Sequence, residues 1–335
     1  MNYGRTSLRR RAKQLDARGT RIRHKIGVIL GKLLLIGIIV GGCATVSFGV
    51  GALKGILASA PDISEVDVIP TGYSTKVLAA DGSETAKLVA AGSNRQYVTI
   101  DQIPENLQHA VVAIEDERFY DHNGIDLKGI VRALVADVRT RDFSQGASTL
   151  TQQLIKNNVL SEQWANENDS NISKMEKMER QVQRKIQEQY LAIELEKKVN
   201  DKNWILENYL NSINLGSNTL GVQAAAQRYF GKDVSKLTLS ECAVIAGITK
   251  NPAGYNPILH PKENAKRRKN VLDAMKKQGY ISQKQYDKAM ADDVYGRISE
   301  HNDVREETMN TYFVDAVIDD VFDLSLIHIS EPTRP

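Results

Sequence analysis

The chain has 335 residues and a globular composition, with 41% hydrophobic and 25% charged residues and a net charge of +3. Its two cysteines are too few for a disulfide framework and match no zinc-site spacing, and Cys242 is interpreted as a small buried hydrophobe. Residues 1–32 hold ten Lys or Arg against one acid, which leaves 34 basic and 40 acidic residues, or −6, for the rest. The basicity therefore belongs to an N-terminal tail and does not indicate a nucleic-acid partner for the folded part.

An uncharged stretch of 21 residues, rich in Leu, Ile, Val and Gly, runs from Leu33 to Leu53. As a helix it spans about 30 Å, the thickness of a bilayer's hydrocarbon core. The basic tail before it predicts a cytoplasmic N-terminus, so that the chain beyond about residue 55 lies outside the cell. A cleaved signal peptide or a lipoprotein site at Cys43 fits less well, because the apolar run continues ten residues past Cys43 and no clear cleavage sequence follows it.

Residues 54–102 contain a linker and then alternating apolar and polar residues around Asp81-Gly82, which predicts a short β-hairpin. Residues 103–290 show apolar residues at helical spacing, which predicts a mainly α domain. Its predicted helices are Asn106–Arg118, Ser148–Val159, Gln181–Val199, Trp204–Ile213, Gly221–Tyr229, Ser240–Ile248 and Lys262–Gly279.

Three segments, one inside the α domain and two after it, differ from this helical pattern. Residues 161–180 in the middle of the α domain are polar and highly charged, and we expect a loop or a solvated helix there. Residues 291–324 are predicted to begin a linker to a missing domain. Residues 325–335 break the helical pattern and are predicted to be a non-native tail.

A first chemical cluster, Ile114 to Gly124, places three consecutive acids at the end of a helix. The helix macrodipole opposes acids there, so their presence indicates another role. Apolar and aromatic neighbours would disfavour the ionised form of Glu115, which suits a general base. A solvated acidic helix end explains the same residues equally well. Glu115, Asp116 and His122 could also meet a metal, although their spacing matches no well-defined site.

A second cluster begins a helix. Ser148 or Thr149 can cap it, and Thr149 with Gln152 fits a capping box. Capping does not explain Gln153, or Lys156 one turn further along the same face. Free helix N–H groups, hydroxyls, amides and an ammonium group together suit a sugar joined to phosphate.

In a third cluster, Arg184, Lys185 and Glu188 share one helix face. A surface ion-pair face, worth under ~1 kcal/mol, is the more common explanation of such spacing. The fourth and fifth clusters, Ile205–Lys232 and Leu239–Pro252, are rich in small and apolar residues, and we interpret both as mainly architectural.

Taken in this order, the five clusters resemble the glycosyltransferase domain of class A penicillin-binding proteins, over roughly residues 75–290. The resemblance implies a mainly α, lysozyme-like fold, preceded by one transmembrane helix and a short β-hairpin. It also implies an apolar subdomain between about Phe119 and Lys156 that dips into the membrane. The family polymerises lipid II, a disaccharide-peptide carried on undecaprenyl diphosphate.

The resemblance carries roles to matching positions of this sequence. Glu115 matches the general base that takes the proton from the acceptor's 4-hydroxyl, and Glu188 matches a second important glutamate that orients cations or assists departure of the diphosphate. The leaving group needs charge neutralisation more than protonation, which fits three cations. These cations are Lys156, Arg184 and Lys185, while Ser148, Thr149, Gln152 and Gln153 match positions that line the cleft.

The implied partners are lipid II, the growing glycan strand, membrane lipid and other cell-wall synthesis proteins, with no nucleic acid. No cofactor is certain; a divalent cation, Mg²⁺ or Mn²⁺, is compatible with a diphosphate, but no ligand set can be read from the sequence. The Ser-x-x-Lys and Lys-Thr-Gly motifs of a transpeptidase do not occur. The chain is therefore predicted neither to bind penicillin nor to crosslink peptides.

Two other functions remain open. A lysozyme-like hydrolase or lytic transglycosylase also uses a glutamate in a helical cleft, but it has no diphosphate to bind. A non-catalytic scaffold for wall synthesis would not need both Glu115 and Glu188. Moenomycin mimics the family's lipid-phosphate donor, so its binding would separate the transferase from the hydrolase.

Overall fold

The computed structural model describes residues 4–16, 18–63, 68–69, 75–78, 80–82, 84–88, 95–140, 148–161, 164, 172–217 and 219–302. The predicted tail 325–335 and most of the predicted linker 291–324 lie outside the described residues, as do residues 162–163 and 165–171 of the polar segment 161–180. The chain divides into two compact units, residues 1–60 and 61–335.

The first unit consists of two helices, α1 (Arg5–Asp16) and α2 (Arg18–Ala58). Within the described residues, His24–Ala58 is the one helical stretch long and apolar enough to cross a membrane, with a mean hydropathy of 2.4 over its most apolar window. Its apolar side chains are exposed. The helix passes through Cys43 without a break and extends beyond the predicted span of residues 33–53 at both ends.

The second unit begins with two short strands, β1 (Thr75–Leu78) and β2 (Glu84–Leu88), which pair antiparallel on either side of Asp81-Gly82. The remaining described elements are helical. They are α3 (Glu105–Glu115), α4 (Leu127–Thr140), α5 (Leu150–Asn158), α6 (Lys174–Val199), α7 (Lys202–Ser212), α8 (Val222–Phe230), α9 (Leu239–Ile248), α10 (Pro261–Lys277), α11 (Gln283–Ala291) and α12 (Val294–Asn302).

All seven predicted helices are present, with differences at their ends. α3 ends three residues earlier than predicted, and α6 begins seven residues earlier, where the Ser173 hydroxyl accepts a hydrogen bond from the Glu176 N–H. Three further helices of the second unit, α4, α11 and α12, were not predicted, and neither was α1 in the basic tail. α12 packs against α8, beyond the predicted end of the helical domain at residue 290.

The helices that carry the chemical clusters form two packed groups, α3 with α9 and α10, and α5 with α6 and α7. α9 is the most deeply buried helix, since every residue from Ser240 to Ile248 is buried, including Cys242 as predicted. A capping box between Thr238 and Glu241 begins α9. Each large aliphatic side chain buried in such a helix stabilises the fold by about 1.5–3 kcal/mol. Rigid neighbours therefore hold the residues at the ends of α3 and α9.

Candidate active site

A cleft of about 810 Å³ is lined by residues from both helix groups. Eight of the nine predicted site residues line it, although they come from three clusters far apart in sequence. These eight are Glu115, Ser148, Gln152, Gln153, Lys156, Arg184, Lys185 and Glu188. The ninth, Thr149, is buried beneath the cleft and caps α5.

Glu115 is the last residue of α3, and its side chain is 13% exposed. One carboxylate oxygen, Oε1, accepts a 2.6 Å hydrogen bond from the Thr249 hydroxyl and lies 3.5 Å from an Arg267 guanidinium nitrogen. The other, Oε2, accepts a 3.3 Å bond from the Gln153 amide. The direct polar partners of Glu115 are therefore a hydroxyl, an amide and a cation, while Ile114, Tyr209 and Ile213 line the same cleft.

Asp116 does not line the cleft, and its contacts account for an acid at the end of this helix. Both of its oxygens lie 3.0 Å from His122 Nε2, and one also accepts a 2.9 Å bond from the Leu150 N–H at the start of α5. Asp116 and His122 are buried, and neither lines the cleft. The grouping of Glu115, Asp116 and His122 around a metal is therefore wrong. Within the described part of the chain, no three His, Cys, Asp or Glu side chains form a metal-ligand group.

The beginning of α5 follows the predicted cap only in part. The Thr149 hydroxyl accepts from the Gln152 N–H at 3.2 Å and donates to the Gly124 carbonyl at 2.7 Å. Gly124 has φ +88°, and a Cβ there would lie 2.5 Å from the Ala192 carbonyl oxygen, so the loop needs glycine to pack against α6. The predicted second half of the capping box is absent, because the Gln152 side chain accepts from Lys185 at 3.0 Å instead.

Gln153 connects two side chains in the cleft. Its amide nitrogen donates to Glu115, and its carbonyl oxygen accepts a 3.1 Å bond from the Tyr209 hydroxyl. Burial raises the pKa of Tyr209 well above its ordinary value, and the nearby charges of Glu115 and Asp116 raise it further. The hydroxyl therefore keeps its proton and can donate to the Gln153 carbonyl oxygen, which agrees with the amide nitrogen facing Glu115.

The cationic wall of the cleft is organised around Lys185 on α6. Its ammonium group donates to Ser148 at 2.8 Å, to Gln152 at 3.0 Å and to Glu188 at 3.0 Å. Arg184 donates to the other oxygen of Glu188. Glu188 is only 2% exposed, so the surface ion-pair interpretation of this cluster was wrong. A buried carboxylate holds two cations in fixed positions at the cleft.

Positive charge exceeds negative charge in the cleft. Five lining residues are cations, against the two carboxylates of Glu115 and Glu188, an excess of three. Lys156 and Lys250 are exposed, and neither makes an ion pair or hydrogen bond with another residue in the described part of the chain. An excess of this size attracts an anionic ligand into the cleft. The five cations are Lys156, Arg184, Lys185, Lys250 and Arg267.

Several lining residues were missed because their clusters were interpreted as architectural. Thr249 and Lys250 follow the buried helix α9, and Tyr209 lies within the fourth cluster. Arg267 on α10 belonged to no cluster. The available signal was Thr249-Lys250, two polar residues directly after the apolar run Cys242–Ile248, because polar residues at the end of a buried helix face the space beside it.

Comparison with known proteins agrees with this geometry. Residues 81–276 match the transglycosylase family model. The chain is 38% identical over 274 residues to penicillin-binding protein 1A of Clostridium novyi, covering 79% of this chain and 30% of that protein. It is 40% identical over 258 residues to penicillin-binding protein 1A/1B of Bacillus subtilis, covering 77% and 25% respectively. The protein therefore belongs to the transglycosylase family.

Its similarity is to the transglycosylase part of penicillin-binding proteins 1A, and it spans about a quarter to a third of the length of these relatives. Penicillin-binding protein 1A of Aquifex aeolicus is 46% identical over 196 residues, which cover 58% of this chain and 25% of that protein. A crystal structure of penicillin-binding protein 1A from Haemophilus influenzae aligns with 78% of this chain and 25% of its own, at 24% identity and a TM-score of 0.37.

Proposed function

We propose that this protein is a peptidoglycan glycosyltransferase that polymerises lipid II into glycan strands and releases undecaprenyl diphosphate. One observation carries the proposal: the cleft combines a glutamate, Glu115, held by Thr249 and Gln153, with an excess of three positive charges. A glutamate alone would suit a hydrolase equally well. The cations supply the charge neutralisation that a diphosphate leaving group requires.

In the proposed reaction Glu115 is the general base. It takes the proton of the acceptor's 4-hydroxyl while that oxygen forms a bond to the anomeric carbon of the growing strand. The bond from that carbon to the diphosphate oxygen breaks, and its electron pair leaves on the diphosphate. The hydroxyl of Thr249 and the amide of Gln153 occupy one lone-pair direction on each carboxylate oxygen, which orients the carboxylate toward the cleft.

The diphosphate is bound by the cationic wall. Lys156 and Arg184 lie at the cleft, and Lys156 has no described partner that would compete for its charge. Lys185 contributes its charge while its three hydrogen bonds fix its position. Cations positioned before the reaction stabilise the charge that develops on the leaving oxygen without reorganising.

Glu188 acts as a positioning residue. Both of its oxygens accept hydrogen bonds, from Arg184 and Lys185, and its side chain is almost fully buried. Of the two roles open from the sequence, orienting the cations is therefore the better supported. Ser148 and Gln152 accept hydrogen bonds from the Lys185 ammonium group and help to fix its position. Thr149 caps α5, the helix that carries Gln152.

The described residues form no three-ligand site of their own for Mg²⁺ or Mn²⁺. Asp116 is occupied by His122, Glu188 by two cations, and the described chain contains no cluster of three or more His, Cys, Asp or Glu side chains. The steps proposed here use the protein's own cations for charge neutralisation, and a divalent cation held mainly by the diphosphate would need only one or two carboxylates from the cleft.

The location follows from the first unit. We propose that α2 anchors the protein in the cytoplasmic membrane with the basic tail inside the cell, because positive charge is retained in the cytoplasm. The helical domain, proposed to be lysozyme-like, then works at the outer face, where lipid II, the growing strand and other wall-synthesis proteins are present. The Glu115 cleft between two helix groups supports the lysozyme-like assignment.

The test measures lipid II polymerisation by the full chain in detergent, comparing wild type with Glu115→Gln. We expect long strands from the wild type and a loss of about 10²–10⁴-fold in rate from the variant, the contribution of a general base. Glu117→Gln is the matched control, since Glu117 lies two residues away and pairs with Arg132 outside the cleft.

The outcomes separate the three functions. Cleavage of finished glycan by the wild type, without polymerisation, would assign a hydrolase. Inactivity of a folded wild type that also fails to bind moenomycin would assign a scaffold. Full activity of Glu115→Gln would overturn the base assignment while leaving the reaction in place.

A further inference from the structure

A second pocket of about 440 Å³ adjoins the cleft and shares with it Lys156, Asn157, Arg184 and Asn214. We refer to it as the annex. Glu115 does not line the annex, so the pocket extends from the phosphate-binding side of the cleft and away from the base. Its own walls come from the segment before α3, the segment after α5, the first half of α6, and the end of α7 with the segment that follows. These walls include Arg95, Ser161, Trp164 and Gln181.

The charge of the annex is one-sided. Three lining side chains are cations, Arg95, Lys156 and Arg184, and no lining residue in the described part of the chain is acidic. The remaining lining consists of amides, hydroxyls and the apolar surfaces of Trp164, Leu160 and Leu220. A half-apolar pocket with cations and amide donors suits an acidic peptide, because carboxylates accept from arginine and the peptide stem can lie along the apolar wall.

Trp164 is held in place at this wall. Its indole nitrogen donates to the Gln187 side chain at 3.3 Å, and Gln187 is fully buried next to Glu188. The same helix that positions the diphosphate-binding cations thus positions the annex. A group bound in the annex would therefore lie next to the proposed diphosphate site.

On the proposed function, the substrate carries a peptide on the sugar that is joined to the diphosphate. We infer that the annex is a subsite for this peptide and that Arg95 binds one of its carboxylates. This inference rests on the proposed function and adds to it a specificity-determining residue outside the reacting centre. It predicts that the enzyme distinguishes substrates by the charge of their peptides.

The test compares lipid II carrying its free peptide carboxylates with lipid II in which those carboxylates are carboxamides. Both substrates have the same sugars and diphosphate and nearly the same size. We expect the wild type to have about tenfold higher kcat/KM for the carboxylate form, the effect of one charge-assisted hydrogen bond. Arg95→Gln should lose most of this preference, chiefly through KM, and Arg95→Lys should retain part of it.

Arg180→Gln is the matched control. It removes one positive charge from α6 a single turn before Arg184, but Arg180 pairs with Glu176 and lines neither pocket. It should keep the wild-type preference, which would exclude a general effect of net charge.

Each possible result either supports or overturns the inference about Arg95. An equal loss on both substrates in Arg95→Gln would assign Arg95 to the diphosphate or to the fold and overturn the inference. Equal use of both substrates by a polymerising wild type would also overturn it, without touching the proposed function. A wild type that polymerises neither substrate would reject the proposed function and this inference together.

Discussion

The Thr249 hydroxyl donates to Glu115 Oε1 at 2.6 Å, across 134 positions of sequence, and thereby ties the end of α9 to the end of α3. The same hydroxyl lies 2.9 Å from the Ala246 carbonyl oxygen, a second acceptor for its single hydrogen at the end of α9. Because α9 is entirely buried, the proposed base is oriented by one of the most rigid parts of the fold. A surface loop could not hold a carboxylate so firmly.

Thr249→Val tests this relationship, since valine keeps the shape of threonine and removes only the hydroxyl. A hydrogen bond to a charged group is worth about 1.5–3 kcal/mol, so we expect kcat to fall by about ten- to hundredfold with KM little changed. Thr249→Ser should restore most of the rate. The measurement is initial polymerisation rate against lipid II concentration. A valine variant with normal kcat would show that Glu115 needs no such orientation.

The sequence predicted much of this site because helical spacing is regular. Lys185 and Glu188 lie three apart on one helix, so their proximity follows from local geometry alone. The order of the clusters and the resemblance then placed Glu115 in the same cleft. The cap at Thr149 was also correct, since N-capping depends only on the first turn.

What the sequence could not provide was contact between distant segments. Gln152 satisfies the capping-box pattern, yet Lys185 from another helix competes for its side chain and prevails. The carboxylate of Asp116 continues a run of acids in sequence but is bound by His122 and the Leu150 N–H. Such outcomes depend on tertiary packing, which no local pattern encodes. α4 was missed for a different reason, since Leu127, Ile130, Val131 and Leu134 have helical spacing and the local pattern was overlooked.

Glu188→Gln should weaken both folding and activity. The glutamine keeps the volume but leaves Arg184 and Lys185 without their buried counter-charge, which typically costs about 3 kcal/mol when one partner of a buried pair is lost. Polymerisation should fall because the two cations lose their fixed positions. Thermal unfolding and polymerisation rate are the measurements.

Glu194→Gln is the control on the same helix. Glu194 makes an exposed pair with Lys197, so its loss should change stability by no more than about 0.5 kcal/mol. If Glu188→Gln unfolded at the same temperature as this control, the buried pairing of Glu188 would not stabilise the fold.

Asp116→Asn should lower stability and displace the base. The amide has one acceptor oxygen where the carboxylate offers two, so it cannot satisfy both the His122 ring and the Leu150 N–H with charge-assisted bonds. We expect a loss of about 2–3 kcal/mol in unfolding free energy and a lower kcat, since Asp116 adjoins Glu115. Asp121→Asn, at an exposed position of the same loop, is the control. Chemical denaturation that leaves the two variants equally stable would contradict the structural role of Asp116.

The way the free energy of unfolding falls at acidic pH should depend on Arg297, which does not line the cleft. Its guanidinium group makes two 2.8 Å bonds to Asp292 and a 3.1 Å bond to the buried Glu241. The hydrogen bonds from Arg297 hold the pKa of Asp292 below its ordinary 3.8. Burial alone would raise the pKa of Glu241, but hydrogen bonds from Lys232 and the Thr238 N–H, with nearby positive charge, hold it below its ordinary 4.5.

Both carboxyls therefore have a lower pKa folded than unfolded, and the stability they contribute is fully present above about pH 5 and lost as pH falls through the lower, folded values. Arg297→Gln should cost about 1–2 kcal/mol at pH 7, a value reduced because Arg297 is 36% exposed and Lys232 still pairs with Glu241. The difference between wild type and variant should shrink below about pH 4 as both carboxyls become protonated. Urea unfolding from pH 3 to pH 7 measures this difference. A gap between the two proteins that stays constant over that range would show that Arg297 acts through packing and not through the ionised carboxylates.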